Sequence, residues 1–234
     1  MTVPLLLLPG MMCDHRLFAA QIAALERDHD IIVPDLGDGQ SMAAMATHIL
    51  ATAPPRFALG GVSMGGILAM EIIGQAQERI SHLALIDTNP FAERDEVRAR
   101  RGPQMDAVRQ GRLETVMREE MKPAYFTHRA DSRALLDLCL AMALSLGPEA
   151  FIRQSLALRD RPDYSTVLGR VTCPTLILCG RHDVLCPVER HQAMKAMIPH
   201  AQLCIIESAG HLPPIETPDD VTRALQDLLE ESYG

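Results

Sequence analysis

The sequence predicts an α/β protein in which a mostly parallel sheet of about six strands carries helices on both faces. Short apolar runs bounded by Gly, Pro or Asp alternate with longer stretches of helical periodicity, the pattern that crossover helices impose on a parallel sheet. The 234 residues are 47% hydrophobic and 22% charged, which suits one substantial core. A single long segment interrupts the alternation with helical spacing alone, so it reads as an insertion within one domain.

The first strand is expected at residues 3–8, where Leu5-Leu6-Leu7-Leu8 has no basic stretch before it and stops at Pro9-Gly10. That argues for a buried strand over a secretion signal. A helix at 17–26, a strand at 30–33, a helix at 42–51 capped by Ser41, a strand at 57–61, a helix at 65–75 and a strand at 83–86 follow. Residues 91–165 show no strand pattern and form the helical insertion, leaving 1–90 and 166–234 as the core. The insertion holds 13 Lys and Arg against 12 Asp and Glu and is +1, whereas the remainder, with 9 against 18, is −9. Its stretch 134–146 is apolar on nearly every side, which suits a helix wedged between sheet and insertion. Strands at 175–179 and 202–206 and helices at 188–197 and 219–230 complete the chain, with Thr217 as N-cap and Pro218 in the first turn of the last.

The formal charge of −8 disfavours nucleic acid and anionic membranes as partners, because both reward clustered positive charge. No run of about 18 uninterrupted apolar residues occurs, the length a spanning helix needs. The six cysteines form no C-x-x-C pair and sit mostly in apolar segments, as buried reduced thiols of a cytoplasmic protein do.

The chemistry concentrates at Gly61-Val62-Ser63-Met64-Gly65-Gly66, a G-x-S-x-G pattern between a strand and a helix. A serine on so sharp a turn needs small residues two before and two after it, and Gly61 and Gly65 meet that need. The turn lifts the Ser63 hydroxyl above the sheet edge, at a helix start where the Met64 N–H lacks an intrahelical partner and can face an anion. Neither phosphate-loop glycine spacing nor G-K-[ST] is present.

A serine hydroxyl needs a base, and the base needs an orienting acid. Ser208-Ala209-Gly210-His211 follows the last strand and supplies the base, His211. The other histidines, His15, His29, His48, His82, His128, His182, His191 and His200, lie in polar surroundings or on expected helices and read mostly as surface residues. Asp183 follows the penultimate strand as the favoured acid, and Asp87, after the fourth strand, is the alternative. His182-Asp183 with His191 lacks metal-site spacing, so no metal or cofactor is expected. Arg98, Arg100, Arg101, Arg109 and Arg112 in the insertion read first as a solvated helix face and second as partners for a substrate carboxylate.

Together these motifs resemble the α/β-hydrolase superfamily over nearly the whole chain, and the small lactonase and carboxylesterase branch, including enol-lactone hydrolases, is the most similar. Leu8-Pro9-Gly10-Met11-Met12 resembles the oxyanion loop, which implies Met11 as a backbone donor beside Met64. Gly61 to Gly66 matches the nucleophile elbow, Pro174 to Asp183 the acid strand and Gly210 to Glu216 the base loop. The family's sheet usually begins with two further strands, so the resemblance implies a trimmed sheet of six, with residues 91–165 as lid. It implies a Ser63, Asp183, His211 triad hydrolysing a small ester or lactone through an acyl-enzyme. C–C bond hydrolysis or perhydrolysis on the same triad, and a non-catalytic small-molecule receptor on this scaffold, are the alternatives. Homo-oligomerisation stays open.

Overall fold

A computed structural model describes residues 3–126 and 132–231. Six strands form one parallel sheet: β1 (Leu5–Leu8), β2 (Ile31–Ile32), β3 (Phe57–Val62), β4 (Ile80–Ile86), β5 (Thr175–Gly180) and β6 (Gln202–Ile206), in the order β2-β1-β3-β4-β5-β6. The described helices are α1 (Ala19–Leu25), α2 (Met42–Thr52), α3 (Met64–Ala76), α4 (Asp95–Arg109), α5 (Leu113–Thr115), α6 (Arg133–Arg159), α7 (Ser165–Leu168), α8 (Val188–Met197), α9 (Pro213–Glu216) and α10 (Pro218–Glu230).

The inner strands are apolar on both sides because both faces are covered. In β1, Leu6 and Leu8 join the core under α2 and α3, while Leu5 and Leu7 join the core under α1 and α10. β3 repeats the division, with Phe57 and Leu59 on the first side and Ala58 and Val62 on the second. Helix α10 buries Val221, Leu225 and Leu228 at i, i+4 and i+7, the stripe that seats a helix on a sheet.

Ser41 caps α2 by accepting the Ala44 N–H at 3.2 Å. Thr217 occupies the N-cap of α10 without a side-chain cap bond; its hydroxyl turns back toward the Pro213 carbonyl instead. Five cysteines are buried and Cys204 is half-buried, and all are free thiols.

Between β4 and β5 the described residues contain no strand. Helix α6 is long and apolar enough by composition to cross a bilayer, yet Gly147 (φ 80°, ψ 178°) and Pro148 break it. Neither piece, 133–146 or 148–159, reaches the ~20 residues of a spanning helix. The first piece is not enclosed all round as its composition suggested. Cys139, Leu140, Met142 and Ala143 are buried, whereas Leu144 is 46% exposed, because the helix rests on the core by one side only.

His191 on α8 is fully buried, accepting the Thr88 N–H at Nε2 (3.1 Å) and lying with Nδ1 3.3 Å from the Pro187 carbonyl. Burial lowers its pKa from 6.5 to about 4. Between these values the unfolded chain binds the proton and the native chain does not, so stability is full above the upper value and is lost as pH falls toward the lower. We expect this residue to remove about 3 kcal/mol across that window, and urea titrations of His191→Gln should show a flatter profile. A slope equal to that of the wild type contradicts the assignment.

Two glycines test the packing in opposite directions. A Cβ on Gly65 would strike the Leu8 carbonyl, a backbone group that cannot swing aside, so Gly65→Ala should cost roughly 3 kcal/mol or more. A Cβ on Gly74, inside α3, would meet only the two Val167 methyl groups, at 3.6 and 3.9 Å, and Gly74→Ala should stabilise by up to about 1 kcal/mol through helix propensity. Thermal denaturation of both variants measures the pair.

Candidate active site

The strand order creates the cleft. From β1 the chain moves outward to β2 and then returns to β3 on the other side of β1, so the loops leaving β1 and β3 part company at the carboxyl edge of the sheet. Such a switch point is where open α/β sheets hold ligands. The loop after β1 carries Met11 and the turn after β3 carries Ser63. A Cβ on Gly10 would lie 3.6 Å from Ser63 Cβ, which shows how closely the two loops approach.

Ser63 sits at φ 54°, ψ −114°, a left-handed conformation that is costly for a residue with a side chain. Side chains at Gly61 and Gly65 would collide with the backbone of the same turn and of β1. The Ser63 carbonyl accepts the Thr88 hydroxyl at 2.8 Å and the Ser63 N–H donates to Ile86 at 2.9 Å, so the turn is anchored to the end of β4. Met64 begins α3, and among the described residues no hydrogen bond engages the N–H of Met64 or of Met11.

His211 and Asp183 meet Ser63 from β6 and β5. His211 Nε2 lies 3.0 Å from Ser63 Oγ and its Nδ1 lies 2.8 Å from Asp183 Oδ2. Both residues are 3% exposed. Asp183 Oδ1 accepts the N–H groups of Leu185 (2.8 Å) and Cys186 (2.9 Å). Burial alone would raise the Asp183 carboxyl, but the His211 charge and hydrogen bond, with the neighbouring Asp87 and the Cys186 N–H, bring it down to about 2. The base loop is clamped by Glu216, whose carboxylate accepts the N–H groups of Gly210 (2.9 Å) and Leu212 (2.8 Å).

Asp87, the alternative acid, is wholly buried and accepts the Gly180 N–H at 3.0 Å. Burial first, and then the charge of Asp183, push its carboxyl well above the usual range. Of the two acids, Asp183 is the one whose carboxylate meets the His211 ring.

Ser63, His211, Met11 and Met64 open onto a cavity of about 280 Å³, walled on its other sides by Ile67, Leu158, Tyr125 and several arginines. Arg101 lines it and is only 7% exposed, against the expectation of a solvated face. Arg98, Arg109 and Arg112 are exposed as expected, and Arg109 pairs with Asp106 at 2.7 Å. Sequence reasoning also missed Gln154, whose Oε1 takes the Met12 N–H at 2.8 Å and steadies the β1 loop from α6. No local signal marks a partner 142 residues away. His82 and His191 are buried where surface positions were expected; His15, His48, His182 and His200 are exposed, and His128 lies outside the described residues.

Asp183, Cys186 and His211 bring possible ligand atoms within 4.8 Å of one another. Asp183 and His211 are engaged with each other, and burial, with the Asp183 charge, holds the Cys186 thiol well above its ordinary pKa. The group is a poor metal donor set.

Comparison with known proteins agrees with the fold. Residues 5–224 match the Alpha/beta hydrolase family. A thermophilic esterase from Thermogutta terrifontis, determined with malate bound, superposes with a TM-score of 0.88 at 31% identity, covering 97% of this chain and 89% of that one. The enol-lactonase from Burkholderia xenovorans LB400 superposes with a TM-score of 0.85 at 20% identity, covering 99% and 93%. A pimeloyl-[acyl-carrier protein] methyl ester esterase of Xanthomonas oryzae pv. oryzae is 28% identical over 240 residues, 95% of this chain and 93% of its own. With its parallel six-stranded sheet and a family match over almost its full length, the chain belongs to the α/β-hydrolase family.

Proposed function

We propose that the protein is a serine hydrolase that cleaves small carboxylic esters or lactones through an acyl-enzyme on Ser63. The observation that carries this reading is the continuous hydrogen-bonded chain from Ser63 Oγ through His211 to Asp183, opening onto a cavity beside two unengaged backbone N–H groups. In this reading residues 1–90 and 166–234 are the catalytic core and 91–165 the lid that shapes the substrate site.

His211 Nε2 takes the Ser63 proton as Oγ attacks the carbonyl carbon. Asp183 keeps the Nδ1–H tautomer facing itself and stabilises the imidazolium as it forms. The carbonyl oxygen becomes an oxyanion facing the Met11 and Met64 N–H groups, each worth roughly 3 kcal/mol in the transition state. Collapse expels the alkoxide, which leaves with the proton held by His211. Water, deprotonated by the same nitrogen, then attacks the acyl-enzyme and returns Ser63.

Activity on 4-nitrophenyl acetate or butyrate tests this directly. Ser63→Ala should lower kcat by at least about a thousandfold, and unaltered rates would exclude the mechanism. Asp183→Asn should lower kcat by about ten-thousandfold through loss of the correct tautomer. Asp87→Asn, which keeps a polar group of the same size outside the hydrogen-bonded chain of Ser63, His211 and Asp183, should retain most of the rate. The reverse order of these two losses would make Asp87 the acid.

A further inference from the structure

Three successive backbone amides of the base loop are held, and the middle one is held from the insertion. Gly210 and Leu212 donate to the Glu216 carboxylate within the loop itself, whereas the His211 N–H between them donates to the Tyr125 carbonyl at 3.2 Å.

The Tyr125 side chain reaches the same residue. Its ring centroid lies 5.4 Å from that of the His211 imidazole, with the two planes 40° apart, within the spacing of packed aromatic pairs. Tyr125 is 6% exposed and is itself braced, because Phe126 meets it edge-to-face at 6.2 Å. Both rings join the core cluster that contains Leu212 of the base loop and Cys139 and Met142 of α6. Tyr125 also lines the Ser63 cavity, so the residue stands between the insertion, the base and the space open to substrate.

The imidazole already has both nitrogens engaged, Nδ1 with Asp183 at 2.8 Å and Nε2 with Ser63 at 3.0 Å. Bonds in the plane of the ring fix where its nitrogens point, but they resist poorly a tilt about the line that joins them. A tightly packed ring against the imidazole supplies that restraint. A small misplacement of the base relative to the nucleophile is enough to slow proton transfer strongly.

We propose that Tyr125 is a positioning residue for the general base: its carbonyl fixes the His211 backbone and its ring fixes the tilt of the imidazole. The insertion then sets the geometry of proton transfer as well as walling the cavity. The proposal rests on the reading of Ser63 and His211 as nucleophile and base. Because Tyr125 acts through His211, its contribution disappears when the imidazole is removed.

A double-mutant cycle tests this with hydrolysis of 4-nitrophenyl butyrate, and the rate of Ser63 labelling by a fluorophosphonate is measured beside it. Tyr125→Leu, which keeps the backbone carbonyl and removes the ring, should lower kcat and the labelling rate by about tenfold with KM moved less than about twofold, and Tyr125→Phe should stay within about twofold of the wild type. In the His211→Ala background, Tyr125→Leu should change the residual hydrolysis by less than about twofold. Thermal denaturation verifies the fold of each variant, and Tyr125→Met, which fills the space with a flexible chain, replaces Tyr125→Leu if the latter does not fold. Equal losses with and without His211, a loss confined to KM, or a Tyr125→Phe variant as slow as Tyr125→Leu each overturn the proposal. A wild type that labels at Ser63 but is indifferent to Tyr125→Leu overturns it while leaving the esterase reading intact. A wild type that neither hydrolyses the ester nor labels defeats the esterase reading, and the proposal falls with it.

Discussion

At the end of β3 the backbone turns left-handed at Ser63, and this turn exists only because the carbonyl of Leu8, the body of Gly65 and the end of β4 close around it. Strain of this kind costs about 1–3 kcal/mol at a residue with a side chain and persists only where the surroundings over-determine it. The same device recurs at Met12 after β1 and at Asp87 after β4, both also at positive φ. Gln154 holds the Met12 N–H, Thr88 holds the Ser63 carbonyl, and the Gly180 N–H binds Asp87. The three edges of the cleft are thus held by one another across the sheet, which gives the proposed nucleophile and donors fixed positions before any substrate arrives.

Charge is rationed with similar care beneath the cleft. Asp87, Asp183, Cys186, His191 and His211 are buried together, but their environments separate them. Asp183 alone gathers two backbone N–H groups and an imidazole, and it is the ionised member. Burial pushes the Asp87 carboxyl well above the usual range and brings the His191 ring down to about 4. One carboxylate opposite one base is what the proposed proton transfer through His211 requires, and a second negative charge at Asp87 would disturb it. Above the cleft the bias is reversed, with arginines outnumbering acids on the cavity wall.

Much of this was legible in the sequence. Apolar runs marked all six strands, although β4 begins at Ile80 rather than 83, and the inner strands β1, β3, β4 and β5, buried on both faces, need no polar alternation. Ser63, His211 and Asp183 were each legible as residues following a strand, and the sheet then brings their side chains together. What escaped depends on partners remote in sequence. Arg101 looks like its exposed neighbours on α4 until Glu93 and Arg161 fold against it, and His191 looks solvated until the Thr88 N–H finds it. Composition made 134–146 apolar on nearly every side, as if wedged between sheet and insertion, but could not say that only one side of it would be covered.

The central claim is that Ser63 is an activated nucleophile, and a fluorophosphonate tests it without any knowledge of substrate. Intact-protein and peptide mass spectrometry should show a single adduct, on Ser63, formed by the wild type and lost in His211→Ala. Failure of the wild type to form that adduct, or equal labelling after the histidine is removed, would contradict the account.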